Sequence, residues 1–267
     1  MKDLSIVIVN YNTPTLVYNC IKSINKFLDI SYEIIVVDNG STKKIDPKKL
    51  SAFPHTTYLP LTFNRGFGAG NNAGVKIAKG KHLLLLNSDT ILIDKSLETM
   101  LDFYKSHKEI GALTCLLYQS KNGLRQKRFF GKFQSFLGLM FRHYNFQKIN
   151  LEKEFFYTDI ITGAAMMIKR EIYNRLKGFD EDFFMYLEDD DLCKRLVDMG
   201  YKNAVLNTVK IVHLEGKSSN SLTRRRYYYK SQNIFWKKHN GFFAMILMRS
   251  IRIPYKIVQF IVSTLRQ

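Results

Sequence analysis

Acidic residues run out before the chain does. After Glu215 there is no Asp or Glu, while Gly216 to Gln267 holds 11 Lys or Arg, so this stretch supplies +11 of a net charge of +18. Such a surplus suits an anionic partner: nucleic acid, acidic lipid or a phosphorylated substrate. Cysteine is scarce as well. Cys20, Cys115 and Cys193 form an odd, scattered set without a CxxC pair, which argues against a disulfide framework or a zinc site and fits a reducing compartment. No apolar run reaches the ~18 residues of a membrane-crossing helix. The opening MKDLSIVIVNYN has too short an apolar run, with Asp3 ahead of it, to read as a signal peptide. Repeats and low-complexity tracts are missing too. These absences leave a cytoplasmic protein, soluble or peripheral, with one main domain.

What is present is ample for a core: 46% of the 267 residues are hydrophobic. Leu4 to Val9, Glu33 to Val37, Thr57 to Leu61, Leu83 to Leu86 and Gly111 to Leu117 read as strands. Between them, Thr15 to Phe27, the segment running to about Lys79, and Lys95 to Ser106 read as helices. Continuous apolar runs alternating with helices predict an α/β protein whose parallel sheet is covered on both faces. The period loosens from Lys121 to Asn150. Order returns as a strand, a turn at Gly163 and a strand over Thr158 to Ile168, a helix from Asp189 to Met199, and a last strand or pair over Lys202 to Val212.

In an open α/β sheet, ligands bind outside the carboxyl ends of the strands. Those ends carry Asn10-Tyr11-Asn12, Asp38-Asn39-Gly40-Ser41 and Asn87-Ser88-Asp89. Each cluster alone is ordinary turn chemistry; three at one edge predict a site. NRGFGAGNNAG, Asn64 to Gly74, is GxGxG rather than GxGxxG and follows the third strand, so it is not a dinucleotide fingerprint. Two readings stand for it: a helix start near Arg65 that attracts phosphate, or glycines needed for close packing. Glu188, Asp189, Asp190 and Asp191 are four adjacent carboxylates. A helix dipole favours acids at its start, but a run this dense points to one acting as a base or meeting a cation. HLEGKSS, His213 to Ser219, follows an apolar strand and reads as a loop.

In order, SIVIVNYN, VVDNGST, NRGFGAGNNAG, LLLLNSD, TGAAMMIKR, GFDEDFFMYLEDDDLCKRL and HLEGKS resemble the family 2 inverting glycosyltransferases, and within them the rhamnosyltransferase-like branch. The resemblance covers about residues 3 to 220. It implies a GT-A fold, a Rossmann-like mixed sheet flanked by helices, and transfer of a sugar such as rhamnose from a nucleotide-diphosphate donor to a lipid-linked or growing glycan. By position it implies donor contacts from Val9, Tyr11, Asp38, Asn39, Asn64, Arg65, Asn87 and Ser88. Asp89 would bind Mg²⁺ or Mn²⁺, with His213 as a further metal or diphosphate contact. Asp189 would be the general base with Glu188 in support. Gly163, Ala164, Asp191 and Arg195 would line the sugar or acceptor pocket. Asn87 stands where the DXD pattern has its first Asp, leaving one carboxylate for the metal.

The segment 221–267 lies outside every motif and reads as a basic, aromatic-rich, amphipathic helical extension of a 1–220 catalytic domain. Arg249, Arg252 and Lys256 share one helical face; Phe242, Phe243, Ile246, Ile253, Ile257 and Phe260 offer apolar area, with a kink or break at Pro254. This combination predicts docking to an anionic membrane surface at the cytoplasmic side. Two other classes remain in comparison. A nucleotidyltransferase would carry a Gly-rich basic signature after the first strand, where NYNTPT lacks one. A nucleic-acid binder would place its aromatics for base stacking, whereas these follow an amphipathic pattern; no nucleic-acid partner is expected.

Overall fold

A computed structural model describes residues 2–126, 129–136, 152–214 and 221–264, with side chains at all of these except 221, 222 and 254–264. The apolar runs lie side by side. β3 (Thr56–Leu61), β2 (Tyr32–Asn39), β1 (Leu4–Asn10) and β4 (His82–Asn87) are parallel neighbours in that order. Leu83, Leu84, Leu85 and Leu86 are all buried although successive side chains point to opposite faces, so both faces of the sheet are covered. Each such leucine contributes about 1.5–3 kcal/mol over an exposed one.

Beyond β4 the sheet changes direction. β10 (Ala165–Lys169) runs antiparallel between β4 and β6 (Ile110–Tyr118). β11 (Lys202–His213) is parallel to β6, and the short β5 (Thr90–Ile91) and β8 (Phe155–Thr158) pair antiparallel with β11. β7 (Phe130–Gly131) and β9 (Ile160–Ile161) form a separate ribbon. The sheet is therefore mixed, as the family resemblance implied, and the wholly parallel sheet expected from the apolar runs is corrected. A run such as AMMI reports burial on two faces and carries no information on direction.

Helices α1 (Pro14–Phe27), α2 (Pro47–Ser51), α3 (Phe67–Ile77), α4 (Ser96–Ser106), α5 (Arg170–Arg175) and α6 (Glu188–Asp198) accompany the sheet. Packing governs the glycines of α3. A Cβ on Gly74 would sit 2.5 Å from a Val7 methyl, and one on Gly66, whose φ is +93°, 2.3 Å from the Phe184 carbonyl oxygen. Only glycine lets this helix lie so close to β1 and β2.

The extension is two helices, α7 (Ser221–Asn240) and α8 (Phe242–Thr264). They do not hang free. Phe235, Trp236, Met245 and Met248 close over Phe183, with Leu187 packed against the cluster. Pro254 does not interrupt α8: it removes one rung of the hydrogen-bond ladder while neighbouring turns carry the helix through. Arg252 is turned inward rather than onto a basic outer face. It donates to Gln232 Oε1 (2.8 Å), Asn233 Oδ1 (2.7 Å) and the Tyr229 carbonyl (3.3 Å). The side chains of Lys256, Ile257 and Phe260, and residues Glu215 to Ser219, lie outside the described set.

Candidate active site

Strand pairing decides what the polar end of β4 meets. The chain turns after Asn87, and Thr90 pairs with His213 at the end of β11, so Asp89 and His213 come together. His213 Nε2 is 3.2 Å from Asp89 Oδ1 and 3.2 Å from Asn87 Nδ2. Gln126 sets the ring. Its Nε2–H donates to the His213 carbonyl (2.8 Å), which leaves its Oε1 to accept from Nδ1 at 3.1 Å. Nδ1 therefore carries a proton, and the other ring nitrogen faces the carboxylate. Nε2 then accepts from Asn87 Nδ2–H beside the Asp89 carboxylate, and a cation placed between Nε2 and that carboxylate would be attracted by both. A carboxylate oxygen plus an imidazole nitrogen fits a divalent cation whose other positions are filled by water or diphosphate oxygens. Among the described residues no group of three or more His, Cys, Asp or Glu converges on one point, so a substrate would have to complete that shell. Ser88 is held beside this edge by the Thr13 hydroxyl at 3.1 Å.

The ends of β1 and β2 build a shelf next to it. Asp38 is fully buried, and its oxygens accept from Tyr58 (2.8 Å), the Ser41 backbone N–H (3.2 Å) and Asn10 (3.3 Å). Asp38, expected as a donor contact, braces this shelf with three of about four acceptor positions filled. Asn39 is buried too and ties the loop before α3 in place, donating to Asn64 Oδ1 and the Gly66 carbonyl and accepting from Arg65 N–H. Val9 lies under Gly70, Tyr11 is 42% exposed at the rim, and Arg65 pairs with Glu181 at 2.7 Å.

The third wall is the start of α6. Tyr186 and Leu187 are both left-handed (φ +69° and +66°), a conformation that costs bulky residues about 1–3 kcal/mol each and that clusters at working sites. The turn is clamped from two sides: Phe67 N–H donates to the Phe184 carbonyl (3.1 Å), and Ser231 of α7 donates to the Met185 carbonyl (2.8 Å). It delivers Asp189, whose Oδ2 accepts from Gly163 N–H (3.0 Å) and Oδ1 from Asp190 N–H (3.1 Å). Ala164 in turn accepts from Asn87 N–H at 2.9 Å. A short hydrogen-bonded path through Gly163-Ala164 thus joins Asp189 to the end of β4. Burial raises the Asp189 carboxyl above its ordinary value, against the opposing effect of these N–H bonds. Glu188 is pushed well up by burial and the Asp189 charge; it is 5% exposed and its Oε2 has no partner among the described residues.

Asp191 and Arg195 do not line this pocket. Two residues along a helix is about 200° of rotation, so Asp191 faces away from Asp189. It is fully buried and bound by His239 Nε2 (2.7 Å), Lys238 Nζ (2.8 Å) and Arg195 Nε (2.8 Å). Burial opposes its charge, yet the hydrogen bonds from His239 and Lys238 and the charges of Arg195 and Lys238 outweigh burial and hold it below the ordinary aspartate value. Sequence reasoning missed Gln126, Ser231, Lys238 and His239. Each acts on a partner far along the chain, and no local pattern marks it.

The sequence profile described as “Glycosyl transferase family 2” matches residues 5–177, and that described as “N-terminal domain of galactosyltransferase” matches residues 142–217. Rhamnosyltransferase WbbL of Escherichia coli (strain K12) is 25% identical, over 86% of this chain and 90% of its own. The N-acetylglucosaminyl-diphospho-decaprenol L-rhamnosyltransferase of Mycobacterium tuberculosis is 22% identical, over 93% of this chain and 89% of its own. Mannosyltransferase PcManGT from Pyrobaculum calidifontis, solved with GDP-Man and Mn²⁺, shares the fold with a TM-score of 0.64, over 98% of this chain and 79% of its own, at 16% identity.

Proposed function

The chain belongs to glycosyl transferase family 2, in its rhamnosyltransferase-like branch and with the GT-A fold, and from that premise we propose an inverting transfer of a deoxyhexose such as rhamnose. The donor is a nucleotide-diphosphate sugar, and the acceptor is a hydroxyl of a lipid-linked or growing glycan. The observation that carries this reading is Asp189: a carboxylate held by two backbone N–H groups, raised in pKa, and tied through Gly163-Ala164 to the strand that delivers Asp89.

Asp189 takes the proton of the acceptor hydroxyl as the oxygen attacks the anomeric carbon opposite the leaving diphosphate, and one displacement inverts that carbon. Such a base contributes about 10²–10⁴ in rate. Glu188 supports it, with Oε2 free to meet a sugar hydroxyl. Asp89 and His213 would hold Mg²⁺ or Mn²⁺, which when bound neutralises charge developing on the diphosphate. Val9 and Tyr11 border the nucleotide, and Asn39 keeps Asn64 and Arg65 close to the donor. Asn87 and Ser88 complete that edge, and Gly163 and Ala164 floor the sugar pocket.

In this reading residues 1–220 carry catalysis and 221–267 dock the enzyme on the inner face of the plasma membrane, with no nucleic-acid partner. No helix among the described residues is long and apolar enough to cross a membrane. Support for docking comes from the exposed Phe242, Phe243, Ile246 and Leu247 beside a segment free of acidic residues. Calorimetric titration with dTDP, UDP and GDP, each with and without Mn²⁺, tests the catalytic reading. Metal-dependent binding of one nucleotide, lost in Asp89→Ala and kept in Asp189→Asn, is expected. Absence of binding by all three would sink it.

A further inference from the structure

The two extension helices border a half-open hollow of about 330 Å³, lined by Tyr229, Lys230 and Asn233 of α7 and Arg249, Arg252 and Ile253 of α8. Three of the six side chains are cationic. Arg252 is fixed by its bonds to α7, and its Nε is buried without a partner. Lys230 and Arg249 are exposed and form no ion pair among the described residues. No acidic residue exists from Gly216 onward to balance them. Elsewhere this chain pairs extension cations with carboxylates, as Lys238 does with Asp180 and Asp191. Three like charges around one hollow repel each other unless an anion enters.

The surroundings of the cavity say which kind of anion. Residues of a helix advance about 100° each. Met245, Met248 and Arg252 share the face of α8 turned to α7, while Phe242, Phe243, Ile246, Leu247 and Ile253 form a stripe that is 41–86% exposed. Arg249 falls on the border between these faces, and Ile253 belongs both to the stripe and to the cavity wall. A cationic hollow at the margin of an exposed apolar stripe matches a molecule with a phosphate joined to a hydrocarbon tail. Free phosphate would leave the stripe without a role.

We propose that the hollow between α7 and α8 is a head-group site for an anionic phospholipid, with Lys230, Arg249 and Arg252 on the phosphate and the Phe243–Leu247 stripe in the acyl layer. This rests on the membrane-docking reading and adds a built site to it. Diffuse attraction costs about fivefold in affinity for each cation removed, wherever it sits near the surface. A built site concentrates the loss in the residues that touch phosphate, where a charged hydrogen bond is worth about tenfold or more.

Flotation of the full chain with phosphatidylcholine vesicles carrying phosphatidylglycerol tests this. Lys230→Gln/Arg249→Gln should lose about a hundredfold or more in affinity, against about twenty-fivefold for the charge-matched control Arg224→Gln/Lys237→Gln. Phe243→Ser/Leu247→Ser should also lose binding, and nucleotide titration of the Lys230/Arg249 variant should be unchanged. Equal losses in the two charge pairs would overturn the site while leaving membrane docking in place. Failure of the unaltered chain to float would overturn docking itself, and the site with it. Inorganic phosphate held as tightly as vesicles, with the Phe243/Leu247 variant unaffected, would make the hollow a soluble-anion site and overturn the lipid assignment. A nucleotide affinity that fell with the Lys230/Arg249 pair would fold the hollow into the donor site and overturn its separateness.

Discussion

Two carboxylates of one helix turn, Asp189 and Asp191, have opposite surroundings. Asp189 meets the Gly163 and Asp190 N–H groups and the Thr162 side chain, with no ion pair among the described residues, and burial drives its carboxyl up. Asp191 meets two side-chain cations, Arg195 and Lys238, and the His239 ring nitrogen, and is held down despite its burial. The run EDDD reads as one acidic patch, but rotation about the helix axis divides it between two sides. One side opens to the sheet edge, where a carboxylate of raised pKa can take a proton. The other is the peg by which the extension holds the helix. A charge is reactive here where it lacks a counter-charge and structural where it has several.

Exchanging the acids separates these roles. Asp189→Asn should lower kcat by about 10²–10⁴, with the unfolding transition in urea and nucleotide affinity little changed. Asp191→Asn should do the reverse. It takes the counter-charge from the mostly buried Arg195 and leaves Lys238, which is 32% exposed, with Asp180 alone, at a cost of up to about 3–5 kcal/mol in unfolding free energy. Turnover per folded molecule at low temperature should remain. A large kcat loss in folded Asp191→Asn, or a stability loss in Asp189→Asn, would erase the distinction.

The same contrast gives opposite responses to pH. The acid limb of the rate profile should lie above the ordinary aspartate value, because Asp189 must lose a proton that burial retains. Asp191 binds its proton less tightly folded than unfolded. Its stabilisation is present above the unfolded value of 3.8 and disappears as pH falls through its lower folded value. Glu188 and Asp190, both raised well above their ordinary values by burial and neighbouring charge, act the other way. They favour folding while protonated, and that contribution is lost as pH rises from the ordinary carboxylate range through their raised values. Urea titrations across pH should show a shallower alkaline decline in Asp190→Asn and a shallower acid decline in Asp191→Asn.

Much of the edge was legible in the chain. LLLLNSD gave a buried strand ending in a carboxylate, and YLEDDD gave a helix start too acidic for capping alone, because strand burial and helix capping are local properties. Direction was not legible: nothing in AMMI tells that β10 runs antiparallel to β4. Nor was the grip of α7 on α6, since His239 finds Asp191 across 48 positions. Arg252 looked like surface charge by spacing alone; the acceptors that draw it inward, Gln232 and Asn233, lie on another helix. Gln126 falls in a stretch without a period, yet it sets the tautomer of His213.

The smallest expected effect sharpens the comparison most, because it holds distance constant. Arg65 meets Glu181 at 2.7 Å, as close as Arg195 meets Asp191 at 2.8 Å. The former pair is 42% and 43% exposed, and the latter 18% and 0%. In water each partner of a broken pair is re-solvated, so Glu181→Gln should cost only about 0.2–1 kcal/mol, against several for Asp191→Asn. It also loosens Arg65, which the donor reading places near the donor, so nucleotide affinity should hold or rise slightly. Denaturation of both variants in the same buffer, repeated at high salt, decides the matter. Salt should shrink the Glu181→Gln effect and leave most of the Asp191→Asn effect, because screening reaches exposed charges and largely spares buried ones. Equal costs for the two variants would mean that burial is not what separates the two sides of α6.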